Sequence, residues 1–561
     1  MLWSRQWLFT TGVTSGKIQL LIVFDYVVRS LGNLCIDKTK FRFPNIFLVY
    51  DIVALFSYLQ IFHPPGRLFL GNGNSSKDYG STYQKETFPS DAVITFFFVS
   101  PANYKNAIFV DYHNKTLHIT TDELKTTNKV VVDFEIDKLV LHPTIADWVL
   151  AYSFLSRELR YSKDFGKTWN LLHTGVSPKF YWYIPGVDTD NSTVHLEILS
   201  SSGDSAHYKK CALEKCSATD TTDRKLGSFQ PISLLIINQY VFVEKLKKEK
   251  SEMYVSYKRN DFKKAYFPPN TLPKHFLIMN ADEDQVFVGV TNTDGVTLYL
   301  SDTTGQYYVP TLTDLLYVVR GIPWIDFHEV KSLKGIYLAN QRSITENSRV
   351  RIEVKTLISF DKGGMWSVIP VPVGETSKCK QATDCSLHLH LDLGSLAAPG
   401  ILSESKAPGL VLAHGNVGDK LDPNNTYVYV SRNGGVTWKN AGLPSGMYRF
   451  NILDQGSILT AVKEATYGVT NIIYYSYDQG NNWQNFKFSD KVLQVDGALN
   501  EPEINSLSLS IYGHTSGTTA WTLATIKFEQ VLPSKCKKED YEIWMPGDHT
   551  QFILLFELKL C

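Results

Sequence analysis

The chain is poor in cysteine, has no excess charge of either sign and shows no catalytic signature. Only seven cysteines occur among 561 residues, and 56 lysines and arginines balance 56 aspartates and glutamates. This balance gives no electrostatic reason to expect nucleic acid or an anionic membrane surface as a partner. No Ser-His-Asp pattern, Cys-His nucleophile pattern, Walker loop or dinucleotide-binding fingerprint stands out, so we expect neither enzyme activity nor a cofactor.

Long apolar runs are also scarce. The run 46–62 is about the minimum length for crossing a bilayer, but it contains Asp51, which makes spanning costly. Residues 1–30 have apolar patches interrupted by charge and show no clear signal peptide, and no convincing span appears near the C-terminus. Hydrophobic residues nevertheless make up 43% of the chain and aromatic residues 13%, which favours a large folded core over disorder.

The few cysteines are spaced informatively. They are Cys35, Cys211, Cys216, Cys379, Cys385, Cys536 and Cys561. Close pairs in a loop-rich β protein are typical of small disulfide-closed loops in an oxidising compartment, so we predict Cys211–Cys216 and Cys379–Cys385 bonds. Thiols that are near by chance are the alternative, while a zinc site would require shorter spacing and a second matching pair. Cys35 and Cys561 have no assigned partner.

Four sequons agree with a luminal location, although so short a motif also arises by chance. Their acceptors are Asn74, Asn114, Asn191 and Asn424.

One pattern recurs along the chain, and it reads Ser-x-Asp-x-Gly-x-Thr-Trp between two strand-like segments. Clear copies begin at Ser162, Ser359, Ser431 and Ser476, a copy at Ser76 has tyrosine in place of tryptophan, and weaker copies begin at Thr120, Ser256 and Ser301. This is the Asp-box. Its scaffold residues here are Asp78, Gly80, Asp164, Gly166, Trp169, Asp361, Gly363, Trp366, Asn433, Gly435, Trp438, Asp478, Gly480 and Trp483.

The chemistry of an Asp-box is that of a tight hairpin. The aspartate accepts backbone N–H bonds across the turn, the glycine supplies a positive φ, and the tryptophan packs under the turn and buries apolar area. We therefore interpret these residues as scaffold and not as catalytic groups.

The spacing of the copies predicts the architecture. Intervals of 44 (76 to 120), 42 (120 to 162), 45 (256 to 301) and 45 (431 to 476) are close to the length of one β-propeller blade. The 94 residues from 162 to 256 fit two blades, one of which has lost its Asp-box near 209. The intervals between the boxes at 301, 359 and 431 are longer and carry insertions. Eight visible boxes, the lost one and a last set of strands around 507–528 predict an all-β, ten-bladed β-propeller.

Ten blades with Asp-boxes and short cysteine loops resemble the luminal propeller of the sortilin family of vacuolar protein-sorting receptors. The strings Cys385-Ser-Leu-His-Leu-His390 and Ala413-His-Gly-Asn-Val-Gly418 are similar to family signatures, and Asp147-Trp-Val-Leu-Ala-Tyr152 resembles the SorCS branch. The resemblance implies a propeller at 67–535, preceded by an atypical, unassigned segment at 1–66. It also implies that 536–561 is the truncated start of a cysteine-rich module plus an atypical tail, with Cys536 pairing inside the missing part of that module.

The resemblance further implies a receptor of Golgi, endosome and cell surface that captures neuropeptides, propeptides or growth-factor precursors on its luminal side. Membrane attachment is expected of the full-length receptor, but the residues after Met545 encode no span, and a homodimer is compatible with the resemblance. Sortilin holds a peptide carboxylate with an arginine on a strand that enters one box. The matching stretch here, 295–301, contains no arginine, so that contact is not expected.

Two other interpretations were weighed. Phe41-Arg-Phe-Pro44 is similar to the motif that opens sialidase-type glycosidases, which also carry Asp-boxes, but such enzymes need three arginines and a Tyr–Glu pair. His388 and His390 lie on one side of a predicted strand, and with His414 they could ligate a metal; we expect structural histidines instead, with His390 as a candidate pH sensor.

A ten-bladed ring is too wide for side chains to fill, so we expect ligand to enter it or its rim and to pair with strand edges. The apolar stretch 317–324 carries Arg320 and Trp324, two residue types that dominate binding hot spots. We predict that both contact the ligand; simple packing against the neighbouring blade is the alternative.

Overall fold

The computed structural model describes residues 94–532 with short gaps at 217–224, 248–249, 272, 283, 292–294, 321, 346–350, 380–384, 392–399, 465–467, 501–505 and 516–520. It also describes five short strands within 68–85 and 542–560. For those strands, and for 318–320, 322–324, 343–345, 351–352 and 521, only the backbone is described. The apolar run 46–62, the sialidase-like motif 41–44 and Cys35, Cys536 and Cys561 lie outside the described residues.

Nine antiparallel sheets follow one another along the chain, and we number them sheets 1 to 9. Sheets 1 to 3 contain β4 (Phe96–Val99), β5 (Ala107–Asp111), β6 (Thr116–Thr120) and β7 (Asn128–Val131); β8 (Lys138–Leu141), β9 (Val149–Ser153), β10 (Glu158–Ser162) and β11 (Asn170–His173); and β12 (Val176–Trp182), β13 (Thr193–Leu199) and β14 (Ala206–Ala212). Sheets 4 to 6 contain β15 (Leu235–Ile237), β16 (Tyr240–Lys247), β17 (Lys250–Tyr257) and β18 (Lys263–Lys264); β19 (His275–Asn280), β20 (Phe287–Thr291), β21 (Val296–Ser301) and β22 (Tyr308–Leu312); and β25 (Phe327–Glu329), β26 (Tyr337–Thr345), β27 (Arg351–Ser359) and β28 (Ser367–Val368). Sheets 7 to 9 contain β29 (Ser386–His390), β30 (Ile401–Leu402), β31 (Val411–Gly418), β32 (Tyr427–Ser431) and β33 (Lys439–Asn440); β34 (Tyr448–Leu453), β35 (Ile458–Lys463), β36 (Ile472–Ser476) and β37 (Gln484–Lys487); and β38 (Gln494–Asn500), β39 (Ser508–His514) and β40 (Trp521–Lys527).

Three smaller units complete the described strands. An N-terminal sheet contains β1 (Leu68–Leu70), β2 (Asn74–Ser76) and β3 (Gln84–Lys85), one hairpin contains β23 (Tyr317–Arg320) and β24 (Ile322–Ile325), and another contains β41 (Glu542–Trp544) and β42 (Leu558–Leu560). Short 3-10 turns lie at Thr376–Lys378 and Asp454–Gly456. Sheets 1 to 6, 8 and 9 pair their strands in chain order and are simple meanders. In sheet 7, β31 pairs with both β29 and β30.

Position within a sheet decides how deeply a strand is buried. The second strands of sheets 1, 2 and 5 (β5, β9 and β20) are buried at every residue, whereas the outermost strand of sheet 8, β37, is exposed at every residue. A strand that is buried on both sides must be covered by packed layers on both of its faces. The sheets are therefore stacked face to face.

The apolar core confirms this stacking, because it divides into eight clusters that each join two consecutive sheets. Members from the two sheets of each junction, in chain order, are Ile108 and Val149, Leu150 and Val194, Tyr208 and Val241, Phe242 and Val288, Phe287 and Tyr337, Leu338 and Leu387, Leu412 and Phe450, and Leu453 and Val495. The predicted all-β repeat of blade-like sheets is thereby confirmed, with nine sheets and the N-terminal sheet. The count of ten blades stays a prediction.

Candidate functional site

The Asp-box turns lie at one end of the sheets, which we call the box face. In sheet 2 the box begins where β10 ends and leads into β11, so it connects the third strand to the fourth. The boxes at Ser359, Ser431 and Ser476 occupy the same place in sheets 6, 7 and 8. The turns between second and third strands, such as the one between β9 and β10, lie at the other end, which we call the hairpin face.

The box at Ser162 shows why the motif needs its residues. The Asp164 carboxylate accepts hydrogen bonds from the Thr168 amide (2.8 Å) and the Thr168 hydroxyl (2.7 Å), and the Ser162 hydroxyl accepts one from the Gly166 amide (2.7 Å). Gly166 has φ +87°, which favours glycine. Burial alone would raise the pKa of Asp164, but the bonds from Thr168 and Ser162 hold it below its usual value. The Ser162, Asp164 and Thr168 side chains thus all form hydrogen bonds within the turn.

The other complete boxes repeat this geometry. Asp361 accepts from the Met365 amide (2.9 Å), Asn433 from the Thr437 amide (2.9 Å) and Asp478 from the Asn482 amide (2.9 Å). A scaffold role is consistent with this arrangement. Asp78 and Gly80 lie outside the described residues, although β2 and β3 flank their box as β10 and β11 flank the box at Ser162.

The box tryptophans differ in burial, which the sequence does not reveal. Trp438 is 6% exposed and donates to the Gly435 carbonyl (2.9 Å). Trp169 makes the matching bond to Gly166 (3.0 Å) but is only partly buried, against Phe134. Trp366 and Trp483 are also partly buried, so the expected deep burial holds for one of the four.

The weaker copies depart from the motif in different ways. At Thr120 the turn is complete, but Leu124 holds the glycine position with φ +62° and its amide donates to the Thr120 hydroxyl (2.8 Å). At Ser301 the aspartate is displaced by one residue, and Asp302 accepts from the Gln306 amide (2.9 Å). At Ser256 the aspartate position is held by Lys258, so the carboxylate that closes the other boxes is missing from that position.

A buried ionic network ties this deficient turn to sheet 3, and we call it the Asp188 latch. Arg259 donates to both carboxylate oxygens of Asp188 (2.9 and 3.1 Å), His195 donates to the same carboxylate (3.1 Å) and Lys210 reaches it at 3.2 Å. The Asp188 side chain is 0% exposed. Burial alone would raise its pKa, but hydrogen bonds from His195 and Arg259 hold the pKa far below the usual range.

The latch was missed by sequence reasoning. Asp188 and Arg259 are 71 residues apart and belong to no motif. One signal was present, because the copy at Ser256 has lost the aspartate that other boxes use, and Arg259 stands in that turn with φ +62°. Ions from sheets 3 and 4 thus replace a local carboxylate.

The predicted ligand residues lie in an inserted hairpin on the hairpin face. β22 starts next to the box at Ser301, on the box face, and runs across sheet 5 to the hairpin face. The hairpin of β23 and β24 follows β22 there. Backbone bonds from Leu316 to Asn340 (2.7 Å) and from Asp326 to Leu316 (3.0 Å) hold the base of the hairpin on sheet 6. Arg320 pairs with Ile322 at the tip, and Trp324 pairs with Val318. Their contact with a ligand stays a prediction.

The histidines weighed as metal ligands lie together on sheet 7. His388 and His390 pair with Asn416 and His414 on β31. His388 accepts from the Thr356 amide (3.2 Å) and also lies 3.2 Å from the Gly418 carbonyl, while His414 accepts from the Tyr448 amide (2.9 Å).

Those contacts are consistent with structural roles for the rings. Burial lowers the pKa of His388 to about 4 and that of His414 to about 3. No group of three or more ligating side chains that could hold a metal occurs in the described part of the chain. Burial also lowers the pKa of His390 below its usual value, while Asp422 acts in the opposite sense, and its role as a pH sensor stays a prediction.

The two short cysteine loops are closed in the structure, by bonds between Cys211 and Cys216 and between Cys379 and Cys385. The second loop is anchored by Glu375, whose carboxylate accepts from Tyr429 (2.7 Å) and Asn440 (2.8 Å) of sheet 7.

Of the four sequon asparagines, Asn114, Asn191 and Asn424 have exposed side chains. Their glycosylation stays a prediction, as does that of Asn74. None of the described residues forms a helix long and apolar enough to cross a bilayer.

Comparison with known proteins decides the family. The family model described as "Sortilin, neurotensin receptor 3" (Sortilin-Vps10) matches residues 73–498, which include sheets 1 to 8 and most of β38. The chain belongs to the Sortilin-Vps10 family. Human VPS10 domain-containing receptor SorCS3 is 33% identical over 84% of the chain, human SorCS1 is 32% identical over 84%, and human sortilin-related receptor is 30% identical over 84%.

The relatives are much longer, since the chain spans 39%, 40% and 23% of these three receptors respectively. Among solved structures, a GH74 xyloglucanase from Xanthomonas campestris aligns with 82% of the chain and 78% of its own, at 13% identity and a TM-score of 0.30, too low to carry an argument. The predicted relation to the sortilin family and its SorCS branch is confirmed, and the relatives are receptors, which disfavours the glycosidase interpretation.

Proposed function

We propose that this chain is the luminal, ligand-binding part of a sorting receptor and that it holds peptides or proteins without chemically changing them. The observation that carries the proposal is the family match over 73–498, because it covers nearly the whole stack of sheets. Membrane attachment belongs to the full-length receptor in this proposal. A sialyl reporter incubated with the purified protein is expected to stay uncleaved, and turnover would overturn the non-enzymatic part.

The finer architecture in this proposal is a ring of ten blades. The N-terminal sheet supplies the tenth, because β2 and β3 flank the Ser76 box as third and fourth strands do elsewhere. The outer side of sheet 1 supports this, since Ala107, Phe109 and Leu124 form a further buried cluster there, facing away from sheet 2. A ring of ten repeats in electron-microscopy class averages is the expected result, and a closed ring of nine would refute the count.

Ligand contact is placed on the hairpin face. The β23–β24 hairpin is an insertion into the sheet repeat, and inserted loops on a rigid scaffold are common binding elements. Arg320 lies at its tip and Trp324 on its second strand, and arginine and tryptophan are residue types that dominate binding hot spots. The ligand in this proposal is a peptide, which could also pair with strand edges of the sheets.

The test uses the secreted protein and a synthetic array of propeptide sequences together with neurotensin, the peptide in the family description. Binding is measured by surface plasmon resonance for wild type, Arg320→Ala and Trp324→Ala. Each variant is expected to weaken binding about tenfold, which corresponds to about 1.4 kcal/mol, with an unchanged melting temperature.

Leu155→Ala is the matched control, because Leu155 is 82% exposed in the turn between the second and third strands of sheet 2, also on the hairpin face. It should bind like wild type. Unaltered affinity in both hairpin variants would remove this hairpin from the site, and a folded protein that binds no array peptide would refute the proposed function itself.

A further inference from the structure

The Asp-box of sheet 7 differs from the other complete boxes at two adjacent positions. Asn433 stands where the boxes of sheets 2, 6 and 8 have aspartate, and Gly434 follows it. The chain has one other Asn-Gly pair, Asn72–Gly73, which lies outside the described residues. In an unstructured peptide an asparagine before glycine deamidates readily, because a glycine without Cβ leaves its backbone nitrogen free to attack the asparagine side chain.

Packing explains why glycine follows Asn433. The residue after the aspartate has a positive φ in the other complete boxes without being glycine: Phe165 (58°), Lys362 (60°) and Gln479 (56°). A positive φ alone therefore does not require glycine here. At Gly434 a Cβ atom would lie 2.5 Å from Leu333 and 2.7 Å from Ile336, two side chains of sheet 6. Close contact between the two sheets thus creates the Asn-Gly pair.

The folded turn engages both groups that would have to react. The Gly434 amide donates to the Gly409 carbonyl (2.9 Å). Asn433 Oδ1 accepts from the Thr437 amide (2.9 Å) and the Ser431 hydroxyl (3.0 Å), and its Nδ2 donates to the Thr437 hydroxyl (2.9 Å). Attack of the amide nitrogen on the side chain would have to break these bonds.

The bond from Gly434 belongs to the box fold and not to this sequence alone. The matching amide in other boxes also donates to a carbonyl in the loop between the first and second strands of its own sheet: Phe165 to Asp147 (2.8 Å), Lys362 to Gly335 (2.9 Å) and, at the Thr120 box, Glu123 to Lys105 (3.0 Å). Its loss at Gly434 therefore requires the turn to open.

We propose that Asn433 is a deamidation site that the folded Asp-box protects and that local opening exposes. The Gly434 nitrogen attacks Cγ of Asn433, so the N–Cγ bond forms and the Cγ–Nδ2 bond breaks. Ammonia leaves with the proton of the attacking amide. Water then opens the succinimide ring. Addition of water at Cγ leaves aspartate, whereas addition at the backbone carbonyl leaves iso-aspartate, which has one extra methylene group in the main chain.

The box discriminates between these two products. Aspartate reproduces the box of sheet 2, where the Thr168 hydroxyl donates to the Asp164 carboxylate (2.7 Å). The Thr437 hydroxyl would change from acceptor to donor and form the same charge-assisted bond. Iso-aspartate would displace Gly434 from the Gly409 carbonyl because it lengthens the main chain between them. The turn can therefore close again around aspartate but not around iso-aspartate.

The first test compares the secreted full chain with a synthetic peptide of residues 429–438 in warm neutral buffer. Peptide mass spectrometry with chromatographic separation resolves asparagine, aspartate and iso-aspartate at position 433. The folded protein is expected to deamidate there at least about tenfold more slowly than the peptide, and urea is expected to remove the difference. Equal rates in the folded protein and the peptide would overturn the protection.

Thr437→Val tests the side-chain bonds, because it removes the acceptor of Asn433 Nδ2 and keeps the backbone bond to Oδ1. It should raise the deamidation rate of the folded protein about threefold, in line with the loss of one neutral hydrogen bond. Thr168→Val is the matched control, since it makes the same change in the box of sheet 2. It should leave the rate at Asn433 unchanged. Equal rates in the two variants would overturn the role of the side-chain bonds.

The preference for aspartate has its own test. Asn433→Asp should melt no lower than wild type. Protein that is deamidated in urea and refolded should carry aspartate in its protease-resistant fraction and iso-aspartate in the digested fraction. A lower melting temperature of Asn433→Asp, or iso-aspartate in the resistant fraction, would overturn this preference. No ligand enters either measurement, so the outcome is independent of the proposed function.

Discussion

Replacing Arg259 with alanine will leave the buried carboxylate of Asp188 without its bidentate cationic partner. Removing one member of a buried ion pair costs about 3–5 kcal/mol, because the remaining charge stays buried and uncompensated. Lys210 and His195 still reach Asp188, at 3.2 and 3.1 Å, so the lower end of that range is expected. The loss should appear at the junction of sheets 3 and 4, where the latch lies.

The assay combines urea unfolding with hydrogen exchange of peptides from β12 to β17. Arg259→Ala should lower the free energy of unfolding by about 3 kcal/mol and speed exchange first in sheets 3 and 4. In a protein that already carries Asp188→Asn, Arg259→Ala should lower the free energy of unfolding much less, because no buried carboxylate is then left without its partner. Lys225→Ala is the control; its ion pair with Asp261 is 77% and 69% exposed, and its loss should cost about 0–1 kcal/mol.

The latch should keep its contribution in mild acid. The pKa of Asp188 is lower in the folded than in the unfolded protein, so its stabilisation is complete above the unfolded pKa and is lost only as pH falls toward the folded pKa. The cost of Arg259→Ala should therefore be equal at neutral and at endosomal pH. An effect below about 1 kcal/mol at neutral pH, or an undiminished cost in the Asp188→Asn background, would refute the ionic interpretation.

Two further predictions concern other parts of the chain. Trp438→Ala should lower the free energy of unfolding by about 3–5 kcal/mol and Trp169→Ala by less, because Trp169 is only partly buried; equal losses in urea unfolding would contradict this. Peptide mapping without reduction should recover linked Cys211–Cys216 and Cys379–Cys385 peptides, and four alkylated thiols in secreted protein would contradict it.

Local motifs made much of the fold predictable. A box fixes a turn through contacts within eight residues, so the spacing between boxes reports the length of one sheet unit directly. The predicted unit that has lost its box near 209 corresponds to sheet 3, whose third strand, β14, spans that position. The complete turn at Thr120 shows the limit of the motif. Leu124 there adopts the conformation of glycine while its side chain is buried beside Phe109, which a pattern of letters does not reveal.

The polar groups between sheets could not be predicted in the same way. The Asp188 latch joins residues that are far apart in sequence, and its burial depends on how sheets 3 and 4 are packed. The histidines of β29 illustrate the converse, since a pattern that suggests metal ligation belongs to a hydrogen-bonded core.

The stacking of the sheets also determines how the protein should respond to force. Each of the eight core clusters joins neighbours in sequence, so tension applied to the two ends of the stack would detach sheets one at a time instead of breaking a shared centre. The order of rupture would follow the strength of each seam. The seam between sheets 3 and 4 combines an apolar cluster with the buried ions of the Asp188 latch, whose attraction depends on the positions of a few side chains. A small shift there would weaken this seam abruptly, whereas seams joined by apolar contacts and neutral hydrogen bonds would yield gradually.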